Sequence, residues 1–214
     1  KTKKYTVLAV CLITAAVSLW AQRRTETTAE EDYLASFEDA IITELSDSDA
    51  YDNKMLALEY IEDALARGID NRDTTAIQTC LNSLAGEGII TQSRTSGRLT
   101  NNFPDIRAKA CDLLGELNTP ESRDQLERIA LADNEPMVTS AAIRSLANIS
   151  AEDADAALGT IAWIERKFSV LNPTSSMAFE VLNAYEKLAP TLNDRTQMIQ
   201  SISKIAVNYN YVTP

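Results

Sequence analysis

From Glu30 to Tyr209 the apolar residues recur three and four positions apart, the spacing that lays one stripe along a helix; they do not alternate as in a strand. This periodicity predicts helices at 31–45, 53–67, 73–86, 105–117, 121–132, 136–149, 152–170, 174–189 and 194–209. Helix breakers stand between them: Gly68, Asn118-Thr119-Pro120, Asp133 to Pro136, Asn172-Pro173 and Pro190. Most joints are short, so neighbouring helices should pack antiparallel.

One joint is longer. Residues 87–103, EGIITQSRTSGRLTNNF, exceed a tight turn. Ile89-Ile90-Thr91-Gln92 and Arg98-Leu99-Thr100 flank Thr95-Ser96-Gly97, which predicts a small β-hairpin inserted between helices. Arg94 and Arg98 flank its turn, and no apolar stripe ties the insertion to a core. A helix followed by a hairpin also fits a winged DNA-binding helix, a reading that the acidic charge of the chain opposes.

The helices repeat. PDIRAKACDLLGEL, 104–117, aligns with the segment 32 residues later: Ile106 with Val138, Ala110 with Ala142, Leu114 with Leu146 and Leu117 with Ile149. A third copy, offset by a further 39 residues, supplies Met177, Val181, Tyr185 and Leu188. Pro104 and Pro136 open two of these helices at the position where proline's missing N–H costs nothing. Self-similarity at this period signals a solenoid, in which no repeat can bury its apolar face alone. Ala110 and Ala142 let neighbouring helices approach closely, and Gly115, unfavourable by about 1 kcal/mol against alanine inside a helix, needs a packing reason.

LERIALADNEPMVTSAAIRSLANI, 126–149, resembles a HEAT repeat: a first helix, an Asp-containing turn with proline, and a second helix with an aliphatic residue and then a small one. PDIRAKACDLLGEL resembles the second helix of such a unit, including Arg107 after Ile106. The resemblance implies an all-α fold, an α-solenoid of antiparallel helix pairs with the hairpin as its one β insertion. It also implies that Arg107 and Asp133 make contacts between adjacent repeats. Two departures stand against the pattern: Thr139 replaces the arginine of the next unit, and the insertion replaces the turn before Arg107.

Before the repeats, KTKK precedes Tyr5–Ala21, seventeen residues without a charge. A basic head and a short apolar run read as a secretory signal peptide over 1–21, with cleavage after Ser18 or Ala21. As a helix the run spans about 26 Å, so an uncleaved anchor is the rival reading, and Leu8-Ala9-Val10-Cys11 is a poor lipobox. Residues 22–29 read as a linker, 30–209 as the repeat domain and 210–214 as a tail that carries Tyr211. The expected address is the periplasm or envelope, with membrane contact only through the N-terminal segment.

Charge and composition narrow the chemistry. Loss of the three leader lysines takes the formal charge from −11 to −14, a surface that repels nucleic acid and anionic lipid. The absence of histidine removes the commonest general base and metal ligand. Asp47-Ser48-Asp49 opens like a calcium loop, but Asp52 and Leu58 occupy positions that need glycine and glutamate. Asp49 or Asp52 serves better as a helix cap. The pairs Asp124/Glu127 and Glu152/Asp155 read as solvated helix faces, and Trp163, Phe168, Phe179 and Tyr185 as core. Cys80 and Cys111 lie at apolar helix positions, as free thiols or a disulfide.

No cofactor or metal site is expected. The residues instead predict a non-enzymatic scaffold that binds another protein, through Lys109, Asp112, Glu116 and Arg144 on the second helices or through Arg94 and Arg98 on the insertion. The alternative is an envelope enzyme that uses helical carboxylates on cell-wall glycans.

Overall fold

A computed structural model describes residues 29–69, 72–149, 154–171 and 174–209. Its helices are α1 (Ala29–Asp47), α2 (Tyr51–Arg67), α3 (Thr75–Gly86), α4 (Pro104–Leu117), α5 (Pro120–Ala132), α6 (Pro136–Ile149), α7 (Ala154–Leu171), α8 (Ser175–Leu188) and α9 (Thr196–Tyr209). Each bound lies within two residues of the one the periodicity predicts. The leader, most of the linker, Glu152, the Asn172-Pro173 joint and the tail lie outside the described residues; Ala29, read as the linker's end, already belongs to α1.

The chain divides into two compact units, Lys1–Phe37 and Glu38–Pro214. In the first, the opening turns of α1 expose Tyr33, Leu34 and Phe37. The second is an all-α solenoid with a small β insertion. There α2, α4, α6 and α8 pack each on the next, while α3, α5, α7 and α9 form the other layer and α3–α4, α5–α6 and α7–α8 are paired hairpins. The repeating stripe explains this order: Ile106, Ala110, Leu114, Val138, Ala142, Leu146, Met177, Val181 and Tyr185 are all buried in one continuous core. A helix whose stripe is wider than one neighbour can cover must bury it against two layers.

Local chemistry sets the ends. Pro104 and Pro120 start α4 and α5, Thr119 Oγ1 accepts from the Ser122 amide, and Asn118 closes α4 in the left-handed conformation at φ 52°. The cap of α2 differs from expectation: Ala50 precedes the helix, and Ser48 Oγ, not Asp49 or Asp52, receives its amide at 3.2 Å.

The insertion also differs. Its strands are β1 (Arg94–Thr95) and β2 (Arg98–Leu99), joined by Ser96 and Gly97 at φ 52° and 80°. Two residues with positive φ make the turn whose twist suits a hairpin, and this sets the register Arg94↔Leu99 and Thr95↔Arg98. Ile89–Gln92 is therefore not a strand; Ile90 N donates to the Gly86 carbonyl at 2.7 Å and its side chain packs over Gly86. The insertion is fastened to α4 by Arg107, which donates to Asn102 Oδ1 and the Glu87 carbonyl, and its base is closed by bonds of its own. Asn101, 8 % exposed, donates to the Thr91 carbonyl and accepts from Ser93 N, both at 2.9 Å. Polar bonds hold its base where no apolar stripe does.

Gly115 meets its packing reason in α6. A Cβ built there would lie 2.6 Å from Ser145 Oγ and 3.1 Å from Ser145 Cα, so α4 and α6 touch at this point with no room for a side chain. Gly159, inside α7, has nothing within 4 Å of the same position. Gly115→Ala should therefore lower stability by about 1–3 kcal/mol through overpacking, despite alanine's better helix propensity. Gly159→Ala should raise it by up to about 1 kcal/mol. Chemical denaturation of the two variants checks both signs; two stabilising outcomes would refute the close contact.

Candidate functional site

Two polar systems run along the stack, one inside it and one on its surface. The inner one centres on Arg107, which is fully buried. Its Nε donates to Asp133 Oδ2 at 2.7 Å, and Nη1 donates to Asn102 Oδ1 at 2.8 Å and the Glu87 carbonyl at 3.2 Å. Asp133, also at 0 % exposure, ends α5, accepts the Glu135 amide on its other oxygen, and lends its carbonyl to Lys167 Nζ at 3.1 Å. Arg107 thus ties α4 to the turn between α5 and α6, and Lys167 carries the connection to α7.

One repeat earlier, Lys54 and Glu87 form the same arrangement. Lys54 occupies in α2 the place of Arg107 in α4, and Glu87 follows α3 as Asp133 follows α5. Lys54 Nζ lies 2.9 Å from Glu87 Oε1 and donates to the Ser46 carbonyl at 3.1 Å, with the lysine only 5 % exposed. The insertion therefore opens on an acid that keeps the turn's role. Sequence comparison misses this pair because both residue types have changed together and the following loop has grown. In α6 the position belongs to Thr139, which is buried with Oγ1 making no hydrogen bond among the described residues.

The surface system lies on the exposed side of the second helices. Lys109 Nζ meets Glu62 Oε2 at 2.6 Å, Arg144 holds Asp112 through Nε and Nη2, and Arg144 Nη1 reaches Glu180 Oε1 at 3.4 Å. Lys187 donates to Asn148 at 2.6 Å. These contacts bring Lys109, Asp112, Glu116 and Arg144 around one groove of about 530 Å³, floored by Gly115 and Ser145. Arg94 and Arg98 lie apart from it on the hairpin and, by their register, on opposite faces of the ribbon. Arg94 folds back onto Gln92 and Gly97, whereas Arg98 makes no hydrogen bond or ion pair among the described residues.

The remaining candidates resolve into structural roles. Cys80 and Cys111 are buried free thiols, and burial pushes the Cys111 thiol far above its usual range. Asp124 is exposed beside Arg123, and Asp155 holds the Asn193 amide and side chain. Phe168 and Tyr185 are core, but Trp163 and Phe179 are 45 % and 62 % exposed, contrary to their reading as core. Lys167 sits 5.6 Å above both Trp163 and Phe168. Among the described residues no cluster of side chains could hold a metal.

Glu165 is a further buried acid that the periodicity does not single out. It is 4 % exposed; Oε2 accepts from Ser201 at 3.4 Å, Oε1 makes no hydrogen bond among the described residues, and Ser201 in turn accepts from Tyr185 at 2.8 Å. Burial raises the Glu165 carboxyl above its usual range against the pull of Ser201, Lys204 and Arg166, and raises Tyr185 to about 12. Asp194 lines the same groove of about 290 Å³, but its carboxylate is taken by the Thr196 hydroxyl and amide, which lower it. Through Oε2 and Ser201, Glu165 is bonded to α9, and it borders that groove together with Asp194.

Residues 94–170 match the family model of HEAT repeats. The match covers the hairpin, α4 to α6 and nearly all of α7, the stretch with the buried Arg107–Asp133 bond. No curated protein and no solved structure matches the chain.

Breaking one partner of a buried ion pair leaves the other charge uncompensated, so Arg107→Leu and Asp133→Asn should each cost about 3–5 kcal/mol. The double variant should cost clearly less than their sum, as read from a double-mutant cycle by chemical denaturation; additive losses would show that the two act independently. At Glu165 the folded-state pKa is raised, so its contribution is fully present below the unfolded value and lost as pH rises through the folded one. Glu165→Gln should therefore raise the melting temperature at neutral pH. That gain should vanish below about pH 4, where the wild-type acid is neutral too. A pH-independent difference would contradict the assignment.

Proposed function

We propose that the chain is a non-enzymatic scaffold of the cell envelope that binds another protein through its second-helix face. The observation that carries the binding reading is the groove on that face. α2, α4, α6 and α8 align side by side, and Glu62, Lys109, Asp112 and Arg144 form a lattice of ion pairs along its walls, which Arg144 extends to Glu180 beyond them. Rigid helices that present side chains in register offer a long surface for a partner. The HEAT-repeat match supports the same class, since such repeats commonly mediate protein interaction. Of the acids that suggested glycan chemistry, Asp155 holds the loop at Asn193 and Asp124 is exposed beside Arg123, so no catalytic role is assigned to these two.

The envelope address rests on the basic head and the apolar run of residues 5–21. Among the described residues no helix is long and apolar enough to cross a membrane.

Fusing residues 1–30 to a reporter active only in the periplasm tests export; activity is expected, with the processed protein starting near Leu19 or Gln22. An intact N-terminus on membrane-bound protein would favour an anchor. Affinity capture of the tagged protein from its own envelope tests binding. Asn148→Trp, which fills the groove from its exposed rim, should abolish capture, while Arg94→Ser with Arg98→Ser should leave it unchanged. The reverse result would move the docking site to the hairpin tip.

A further inference from the structure

The charges on the second-helix face are not evenly shared. The repeat register sets Glu59, Asp112, Arg144 and Asn183 in one row across α2, α4, α6 and α8, and Asp63, Glu116, Asn148 and Lys187 in the next. Both rows therefore begin with two acids. Lys109 answers Glu62 and Arg144 answers Asp112, but Glu59, Asp63 and Glu116 are exposed and form no ion pair among the described residues. The half of the face made by α2 and α4 is left strongly negative.

A second feature lies between these acids and α6. Ser145 is 2 % exposed and lines the groove, yet its hydroxyl makes no hydrogen bond among the described residues. It stands directly above Gly115, whose missing side chain leaves the hydroxyl reachable from the groove. A hydroxyl that borders a groove and makes no bond to the protein keeps acceptor capacity for a ligand. Long cationic side chains suit this place: their stems can lie along the helix surface while the head takes several acceptors.

We propose that this groove receives a basic segment of the partner, with a lysine or arginine side chain entering over Gly115 and taking Ser145 Oγ and the Glu116 carboxylate as acceptors. The unpaired Glu59 and Asp63 attract further cations of the same segment. Complementary charge would accelerate encounter and make the affinity fall with salt. The proposal rests on the binding reading above and adds the chemistry of what is bound.

The test uses the full chain and three synthetic helical peptides of equal length, with four lysines, four glutamates or four glutamines on one face. Fluorescence anisotropy should show binding of the lysine peptide alone, weakened at least tenfold by raising salt from 50 to 500 mM, on the order expected when several ion pairs are screened. Amide NMR shifts should concentrate at Gly115, Glu116, Ser145 and Asn148. Glu116→Gln with Asp63→Gln should weaken binding about tenfold, as expected for a loss on the order of 1.4 kcal/mol. Ser145→Ala should weaken it by a smaller factor, and Glu121→Gln on α5 should have no effect. Binding of the glutamine peptide at the same amides with equal affinity would overturn the basic partner and keep the groove. Lysine-peptide binding that leaves these amides unmoved would overturn the site itself.

Discussion

A buried charge is tolerated only with a partner, and this constraint fixes how neighbouring repeats meet. Arg107 and Asp133 are both removed from solvent, and each would be costly alone. Their bond can form only when α4 lies against the turn that follows α5, so it sets the offset of one helix pair on the next. Lys54 and Glu87 impose the same condition one repeat earlier. The apolar stripes supply most of the stabilisation but would tolerate some sliding; directional polar bonds specify one register. Past α6 the device changes, because Thr139 cannot replace the guanidinium, and Lys167 approaches the Asp133 carbonyl from α7 instead.

Close contact between α4 and α6 has the same kind of origin. Ala110 and Ala142 are fully buried, and Gly115 lies against the Ser145 backbone, so small side chains let the two axes approach. Close approach inside creates shape outside. Where Gly115 lacks a side chain, the surface dips between Asp112 and Glu116 on one helix and Arg144 and Asn148 on the other. The groove follows from how the helices pack and needs no loop to form it.

The helical order was legible because apolar periodicity is a local property repeated many times over, and its bounds were marked by Pro104, Pro120 and Pro136. The pairing of Arg107 with Asp133 came from resemblance and was not visible in spacing. The Lys54–Glu87 pair stayed hidden because it keeps charge while changing both residue types. The hairpin register was misread because β-branched Ile89, Ile90 and Thr91 look like a strand, whereas the φ of Ser96 and Gly97 sets the pairing two residues later. Exposure at Trp163 and Phe179 was missed because an aromatic residue on a helix carries no sign of which neighbour is absent. Glu165 was equally silent, since a single acid between apolar residues reads as surface until three helices close around it.

The repeat register also explains why Phe179 is exposed. On α4 and α6 the positions turned towards the next second helix carry Ala108 and Gly115, then Ser140 and Ala147. The same places on α8 carry Phe179, 62 % exposed, and Glu186. A helix approaching α8 at the internal spacing would strike a benzyl group where its predecessors met a methyl or a hydroxyl, and would bury a carboxylate where they met none. The outer face of α8 therefore departs from the pattern that stacks the helices before it. Whatever touches it must accommodate a large aromatic side chain and leave Glu186 in water, a different surface from the one that joins α4 to α6.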